Sequence, residues 1–269
     1  MENLSFSQKL EMLKQKMVKL EKTHRFEFPT SFTFDGFEKY YNNARTKDDV
    51  STINKMDFEL FSYAIEICEF SNKPQIVPDD AYENLGLNTN PVFNFDELYR
   101  GARKVRNHAN LLFDEKHHAG LGGLLNGIYT TPSRIVAFSY TRTEDFSENN
   151  PLIMKLKMPN AKIASEIELF ALIDNLKSGS ISVDETTPTE IAELVKFING
   201  IADEKERTKF ICTLEQDIAI LATLFGYDCV YDRKFPSVVL LNREKIVVSE
   251  SQAKKIQDAY ANEQAAQLI

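Results

Sequence analysis

The sequence predicts a mixed α+β protein, with a helical N-terminal region over residues 1–90 and a body of interleaved short strands and helices over 91–269. Three observations carry this expectation. Apolar residues recur at helical spacing through residues 5–70. A stretch rich in Pro, Asn and Asp at 71–91 then breaks the pattern. Beyond it, runs that alternate residue by residue take turns with runs of helical period.

In chain order, SFSQKLEMLKQKMVKLEKTHR (5–25) reads as a helix. Ser5 and Gln8 have capping-box spacing, and Leu10, Leu13, Met17 and Leu20 form an apolar stripe among Lys and Glu. Two heptads do not make a coiled coil, so this helix is expected to dock on its own domain; the alternative is a surface for a partner. FEFPTSFTF (26–34) reads as an aromatic loop or edge strand. A second helix runs through 48–70, capped near Asp49 or Ser51, with Phe58, Phe61 and Ile65 as its buried stripe. SNKPQIVPDDAYENLGLNTNP (71–91) reads as a linker.

In the body, FDELYRG is a short strand ending on Gly101 and 102–116 is helical. HHAGLGGLLNG (117–127) is a glycine-rich loop leading into the strand end IYTT, and SRIVAFSYTR (133–142) is a helix. PLIMKLKM alternates as a strand with one wet face, and SEIELFALIDNLK is a helix. After a polar loop at 178–190, residues 191–226 read as two helices broken near Asn199 and Gly200. YDCVYD, SVVLLN and EKIVV are strand-like, and the chain closes on a helix from residue 251.

With 269 residues, 43% of them hydrophobic, the chain can bury a substantial core. A formal charge of −8 and a pI near 5.2 argue against retention on nucleic acid by the overall field, leaving a local basic groove open. Cys68, Cys212 and Cys229 lie far apart with no CxxC and no His/Cys cluster, so neither a disulfide framework nor a zinc or other metal site is expected. Reduced thiols fit a cytoplasmic setting. The N-terminus lacks the apolar core of a signal peptide, and no run reaches the length of a membrane helix, so no membrane partner is expected.

The GLGG loop fails as a dinucleotide fingerprint, because no strong strand precedes it and no acidic residue follows at the required place. Adjacent His117 and His118 point in different directions in any regular element, which argues against joint metal ligation. GxSxG, HExxH and the P-loop are absent. Arg100, taken alone, also reads as an edge-strand salt-bridge residue, and Tyr129 and Tyr140, each taken alone, are core aromatics more often than site residues. Their arrangement favours a site. The tyrosines stand eleven residues apart across a strand end, a turn and a short helix, a path that brings two rings around a slot for one flat ring. An Arg on a nearby strand suits a phosphate or ribose beside it.

These residues resemble the motifs of the ADP-ribosyltransferases. ELYRG (97–101) is similar to their first motif, a strand ending in Arg-Gly or His-Gly. NGIYTTPSRIVAFSY (126–140) resembles the second, a Gly-Ile-Tyr segment followed by another aromatic in the next helix, with the spacing of the poly-ADP-ribose polymerase branch. GYDCVYDRKFPSVVLLNREKIVV (226–248) resembles the third block. The resemblance covers residues 94–250 and does not extend to the N-terminal part.

The resemblance implies a split mixed or antiparallel β-sheet core with flanking helices, and NAD as substrate. It implies that Tyr129 and Tyr140 sandwich the nicotinamide ring, that the Gly101 backbone holds its amide, and that Arg100 contacts ribose or phosphate. Asn126, Gly127, Thr130 and Thr131 complete the implied NAD site, the two threonines matching the hydroxyl residues of the arginine-type branch. One departure stands out. Where the family places its catalytic Glu, at the start of the third-motif strand, this chain has Ser237, and Asp232 in the adjoining loop is the nearest substitute acid. Lys234 and Phe235 fall where the family's loop selects its acceptor; a loop Phe also serves as a plain hydrophobic plug.

The reaction implied is transfer of ADP-ribose to a protein, RNA or DNA acceptor with loss of nicotinamide, by a mono-ADP-ribosyltransferase of the toxin, effector or phage-conflict kind. The N-terminal helices would serve an antitoxin or other partner. The alternatives are an NAD- or ADP-ribose-binding pseudoenzyme and an RNA 2′-phosphotransferase-like enzyme, the latter disfavoured by the acidic pI.

Overall fold

The computed structural model describes residues 4–24, 49–71, 73–86, 88–89, 93–102, 113, 126–141, 143–147, 150, 152–232 and 236–267. The aromatic segment at 26–34, His117 and His118, the glycine-rich loop up to residue 125, most of the helix expected over 102–116, and Lys234 and Phe235 lie outside the described residues. The protein is a mixed α+β fold with parallel and antiparallel strand pairs. It forms two compact units. One comprises Met1–Glu69, Gly123–Asn126 and Ile167–Gly226; the other comprises Phe70–Gly122, Gly127–Glu166 and Tyr227–Ile269.

The first unit is helical. Helix α1 (Phe6–His24) opens with a reciprocal capping box: the Ser5 N–H donates to Gln8 Oε1 at 2.7 Å and the Gln8 N–H donates to Ser5 Oγ at 3.2 Å. Leu10, Leu13, Met17 and Leu20 are all buried, as their spacing predicts, and α1 packs on α2 (Asp49–Ile67) within this unit. In α2, Phe61 and Ile65 are buried and Phe58 is half-buried. Helices α5 (Glu166–Ser178), α6 (Thr189–Gly200), α7 (Glu204–Gln216) and α8 (Ile218–Leu224) supply the later part of the chain.

The sequence reading of two helices over 191–226 is corrected here to three. Asp217 stops α7 and caps α8, its side chain accepting from the Ala219 N–H. A capping carboxylate competes with the helical backbone for N–H groups, so one Asp splits an otherwise continuous apolar run. All seven residues of α8 are buried, as expected of a helix apolar all round.

The second unit is built on strands. The segment read as a linker contains β1 (Gln75–Val77) and the short helix α3 (Asp79–Glu83), which corrects that reading. β1 lies between Pro74 and Pro78 and pairs in parallel with β10 (Val247–Ser249). Prolines are tolerated at the ends of such a short edge strand, which therefore carries loop-like composition. β2 (Asn88–Thr89) and β3 (Asn94–Phe95) form a small hairpin.

β4 (Leu98–Gly101) pairs antiparallel with β6 (Ile153–Leu156). β5 (Ile128–Thr130), β9 (Ser237–Leu240), β8 (Cys229–Asp232) and β7 (Ile163–Ser165) form a four-stranded sheet in that order. Two isolated bridges join these pieces. Lys157 pairs with Val247, linking β6 to β10, and Tyr99 pairs with Thr131, linking β4 to the end of β5. The strands therefore run β1-β10-β6-β4 and then β5-β9-β8-β7, as two halves meeting at the Tyr99–Thr131 pair. There the Tyr99 N–H donates to the Thr131 carbonyl at 2.7 Å and the Thr131 N–H donates to the Tyr99 carbonyl at 2.8 Å. Leu98, Ile128, Met154, Leu156, Ile163, Val238, Leu240 and Val248 share one apolar core. Helix α4 (Arg134–Thr141) packs on β4, and α9 (Glu250–Gln267) follows β10.

Candidate functional site

The seam between β4 and β5 gathers the motif residues. Tyr99 of β4 bridges to Thr131 as an isolated pair, and the Arg100 guanidinium of β4 donates to the Tyr129 carbonyl of β5. The β5–β9 and β8–β9 registers then set out two neighbouring cross-strand rows on one face of the four-stranded sheet: Tyr129, Val239 and Val230 in one, Ser237 and Asp232 in the other. Neighbouring rows on a strand face are about 7 Å apart. Tyr129, Ser237 and Asp232, which the sequence singled out from two separate segments, thus share one face of the four-stranded sheet.

Helix α4 closes on β4. A Cβ at Gly101 would stand 1.7 Å from the Ala137 carbonyl oxygen and 3.1 Å from Tyr140 Cβ, so the strand lies directly against the helix backbone. Tyr140 then rises from the last turn of α4 beside Gly101, with 58% of its surface exposed, while Tyr129 is half-buried on β5. Ser133 immediately precedes α4, its N–H donating to Thr131 Oγ1 at 3.1 Å. The turn between the two tyrosines is thereby held by Thr131, and Thr130 Oγ1 donates to the Val238 carbonyl at 2.7 Å. The hydroxyls of both threonines thus make bonds that hold the fold.

Arg100 alternates to the other face of β4, with Leu98, and is 8% exposed. Its Nη1 donates to the Tyr129 carbonyl at 2.9 Å, while Nε is buried with no hydrogen-bond partner among the described residues. Burial pushes its pKa down to about 10, which leaves it cationic at neutral pH. The structure brings Arg100 to the Tyr129 backbone rather than to the row that holds the Tyr129 ring. Asp232 is 6% exposed at the end of β8, directly across from Ser237, whose Oγ is buried without a hydrogen-bond partner among the described residues.

The Asn126 backbone N–H and Nδ2 both donate to the Asp217 carboxylate, at 3.2 and 2.7 Å. Gly127 has φ +131°, and a Cβ there would approach Val239 Cγ1 to 2.6 Å and the Leu240 carbonyl oxygen to 2.9 Å. Glycine is therefore required at Gly127 by backbone and space together. Sequence reasoning missed Asp217 and Ala137. An Asp in an apolar run was the available signal for the first; nothing marks an alanine whose backbone receives a strand.

Among the described residues, no group of three or more His, Cys, Asp or Glu side chains is placed to hold a metal ion, and no helix is long and apolar enough to cross a membrane. All three cysteines are free. Comparison with protein-family models, with curated proteins and with solved structures returns no match.

Proposed function

We propose that the protein is an NAD-dependent mono-ADP-ribosyltransferase whose nicotinamide slot lies over Gly101 between Tyr129 and Tyr140. The observation that carries this reading is the close approach of Tyr140 to Gly101 through α4, with Arg100, the residue before that glycine, donating to the Tyr129 carbonyl. Two aromatic faces suit a flat heteroaromatic ring, each stacked pair contributing about 0.5–1.5 kcal/mol beyond burial. The seam between two half-sheets also agrees with the split sheet of the family these motifs resemble. A glycine backbone at the floor of the slot offers a carboxamide one donor and one acceptor.

Loss of nicotinamide develops positive charge on the ribose, and a carboxylate nearby stabilises it electrostatically, as in glycoside hydrolysis. Asp232, in the row beside Tyr129, is the carboxylate of this chain assigned to that task. Arg100 is assigned to bracing Tyr129 and to presenting a cation at the seam. In that role Arg100→Lys is not conservative, because an ammonium lacks the fork that spans a carbonyl and a second acceptor. Turnover should fall by roughly tenfold, equivalent to about 1.4 kcal/mol. Unchanged turnover in a folded Lys variant contradicts the assignment.

A second reading, an NAD- or ADP-ribose-binding module without turnover, is favoured by one observation: Ser237 stands where a catalytic Glu is expected, and its Oγ has no hydrogen-bond partner among the described residues. Incubation of pure protein with NAD labelled in the nicotinamide ring separates the two. The transferase reading expects released nicotinamide, loss of that release in Asp232→Asn, and faster release in Ser237→Glu. Binding of NAD with no release from wild type, and release gained only in Ser237→Glu, favours the binding module. The acceptor class follows from protease and nuclease treatment of the labelled products when the label sits in the ADP-ribose.

A further inference from the structure

Asn150 belongs to no motif and lies between α4 and β6, yet its amide is the junction of two hydrogen-bond paths that finish on either side of the slot. It is 2% exposed. On the strand side, Oδ1 accepts from the Leu152 N–H at 3.0 Å, and the Leu152 carbonyl accepts at 2.8 Å from the N–H of Ala102, the residue after Gly101. On the helix side, Nδ2 donates to Thr143 Oγ1 at 3.3 Å, and Thr143 Oγ1 lies 3.2 Å from the Oγ1 of Thr141, the residue after Tyr140. Both paths lie within the strand-built unit. We propose that Asn150 is the positioning residue of the slot, fixing the end of α4 that carries Tyr140 to the end of β4 that carries Gly101.

The partners dictate which way each group points. Nδ2 also donates to the Asp145 carbonyl at 2.5 Å, an acceptor only, and Oδ1 faces the Leu152 N–H, a donor only, so the amide has one orientation. Thr141 Oγ1 donates its hydrogen to the Phe138 carbonyl at 2.8 Å, so Thr143 is the donor to Thr141 and the acceptor from Asn150. The bonds therefore run one way, from Asn150 through Thr143 and Thr141 to the α4 backbone, an order in which each strengthens the next. The Asn150 backbone is held as well. Its N–H donates to the Ser147 carbonyl, and its carbonyl accepts from Ile153, the residue paired with Gly101. Thr141, like Asn150, is 2% exposed, so a partner lost here is not replaced by water. That Tyr140 meets a ligand rests on the function proposed above; the junction itself does not.

Asn150→Asp is the discriminating variant. It keeps the shape and the acceptor for Leu152, and it sets an oxygen against the Asp145 carbonyl in place of both donors. The full chain with this substitution is compared with wild type by amide hydrogen exchange near pH 7. The expected result is exchange about tenfold faster at Ser139–Thr141, with the β8–β9 hairpin keeping its protection. Thr143→Val should do the same, and Thr143→Ser, which keeps the hydroxyl, should exchange as wild type. Calorimetric titration of NAD gives the second readout. Asn150→Asp should weaken binding about tenfold in the wild-type background and add nothing in Tyr140→Ala, since Asn150 acts through that ring. Unchanged exchange at Ser139–Thr141, equal acceleration throughout the chain, or an equal loss of NAD affinity in both backgrounds overturns the proposal. So does unchanged NAD affinity in Asn150→Asp when wild type binds NAD. If Asn150→Asp does not fold, Thr143→Val decides by the same two measurements. Failure of wild type to bind NAD removes the function proposed above and leaves the exchange result to decide this one.

Discussion

Gly101→Ala is expected to disable the site and weaken the fold together. The added methyl would sit 1.7 Å from the Ala137 carbonyl oxygen, a backbone atom that no side-chain rotation can move aside. Helix α4 must therefore lift off β4, carrying Tyr140 with it. Overpacking of this kind costs about 1–3 kcal/mol. A displacement of roughly 1 Å at a positioned group lowers turnover by about a hundredfold. Gly86→Ala serves as the control, since nothing lies within 4 Å of a Cβ there. The check is paired thermal melts and nicotinamide release for both variants. A Gly101→Ala protein that melts and turns over like the Gly86→Ala control removes both the contact and the slot built on it.

The helical unit should become more stable as the solution is made mildly acidic, the reverse of ordinary acid denaturation. Burial, and secondarily the charge of Asp217, pushes the Asp57 pKa from 3.8 to about 8; burial raises Asp217 to about 6. Both carboxyls bind a proton more tightly in the folded chain than in the unfolded one. Their stabilising contribution is complete below about pH 4 and is lost as the pH rises through about 6 for Asp217 and about 8 for Asp57. A full one-proton difference gives a slope of about 1.4 kcal/mol per pH unit. Asp57 keeps some solvent exposure, which reduces that figure. Asp57→Asn removes the buried charge, so it should raise stability at pH 8 and flatten the profile between pH 8 and pH 5. Denaturant titrations across that range test the sign. A wild-type stability that falls on going from pH 8 to pH 5, with an Asn variant no more stable at pH 8, contradicts this account of the pair.

The elements most readable in the sequence are those whose signal is local. Ser5 and Gln8 with the Leu10, Leu13, Met17 and Leu20 stripe specify α1 by themselves, and the observed cap and burial match them. The strand ends at Gly101 and Thr130 and the helix bearing Tyr140 were readable for the same reason. What escaped depends on partners distant in the chain. Three residues between two prolines carry no periodicity, so β1 is recognisable only beside β10, some 170 residues later. The composition of the helical unit, which joins residues 167–226 to the N-terminal helices, is likewise a long-range property.

The site divides in the same way. The types and spacing of Arg100, Gly101, Tyr129 and Tyr140 were legible. That Arg100 turns to the Tyr129 backbone, that Thr130 and Thr131 spend their hydroxyls on the fold, and that Asn126 is tied to Asp217 follow from registers and contacts no linear pattern encodes.

Tyr140→Ala offers the most direct test of the slot, because a side chain 58% exposed can be removed without opening the core. Calorimetric titration of NAD into wild type and Tyr140→Ala, with melts of both, is the measurement. The account predicts NAD binding by wild type, at least about tenfold weaker binding by the variant (about 1.4 kcal/mol), and equal melting temperatures. Equal NAD affinity in the two proteins, or no NAD binding by wild type, contradicts it.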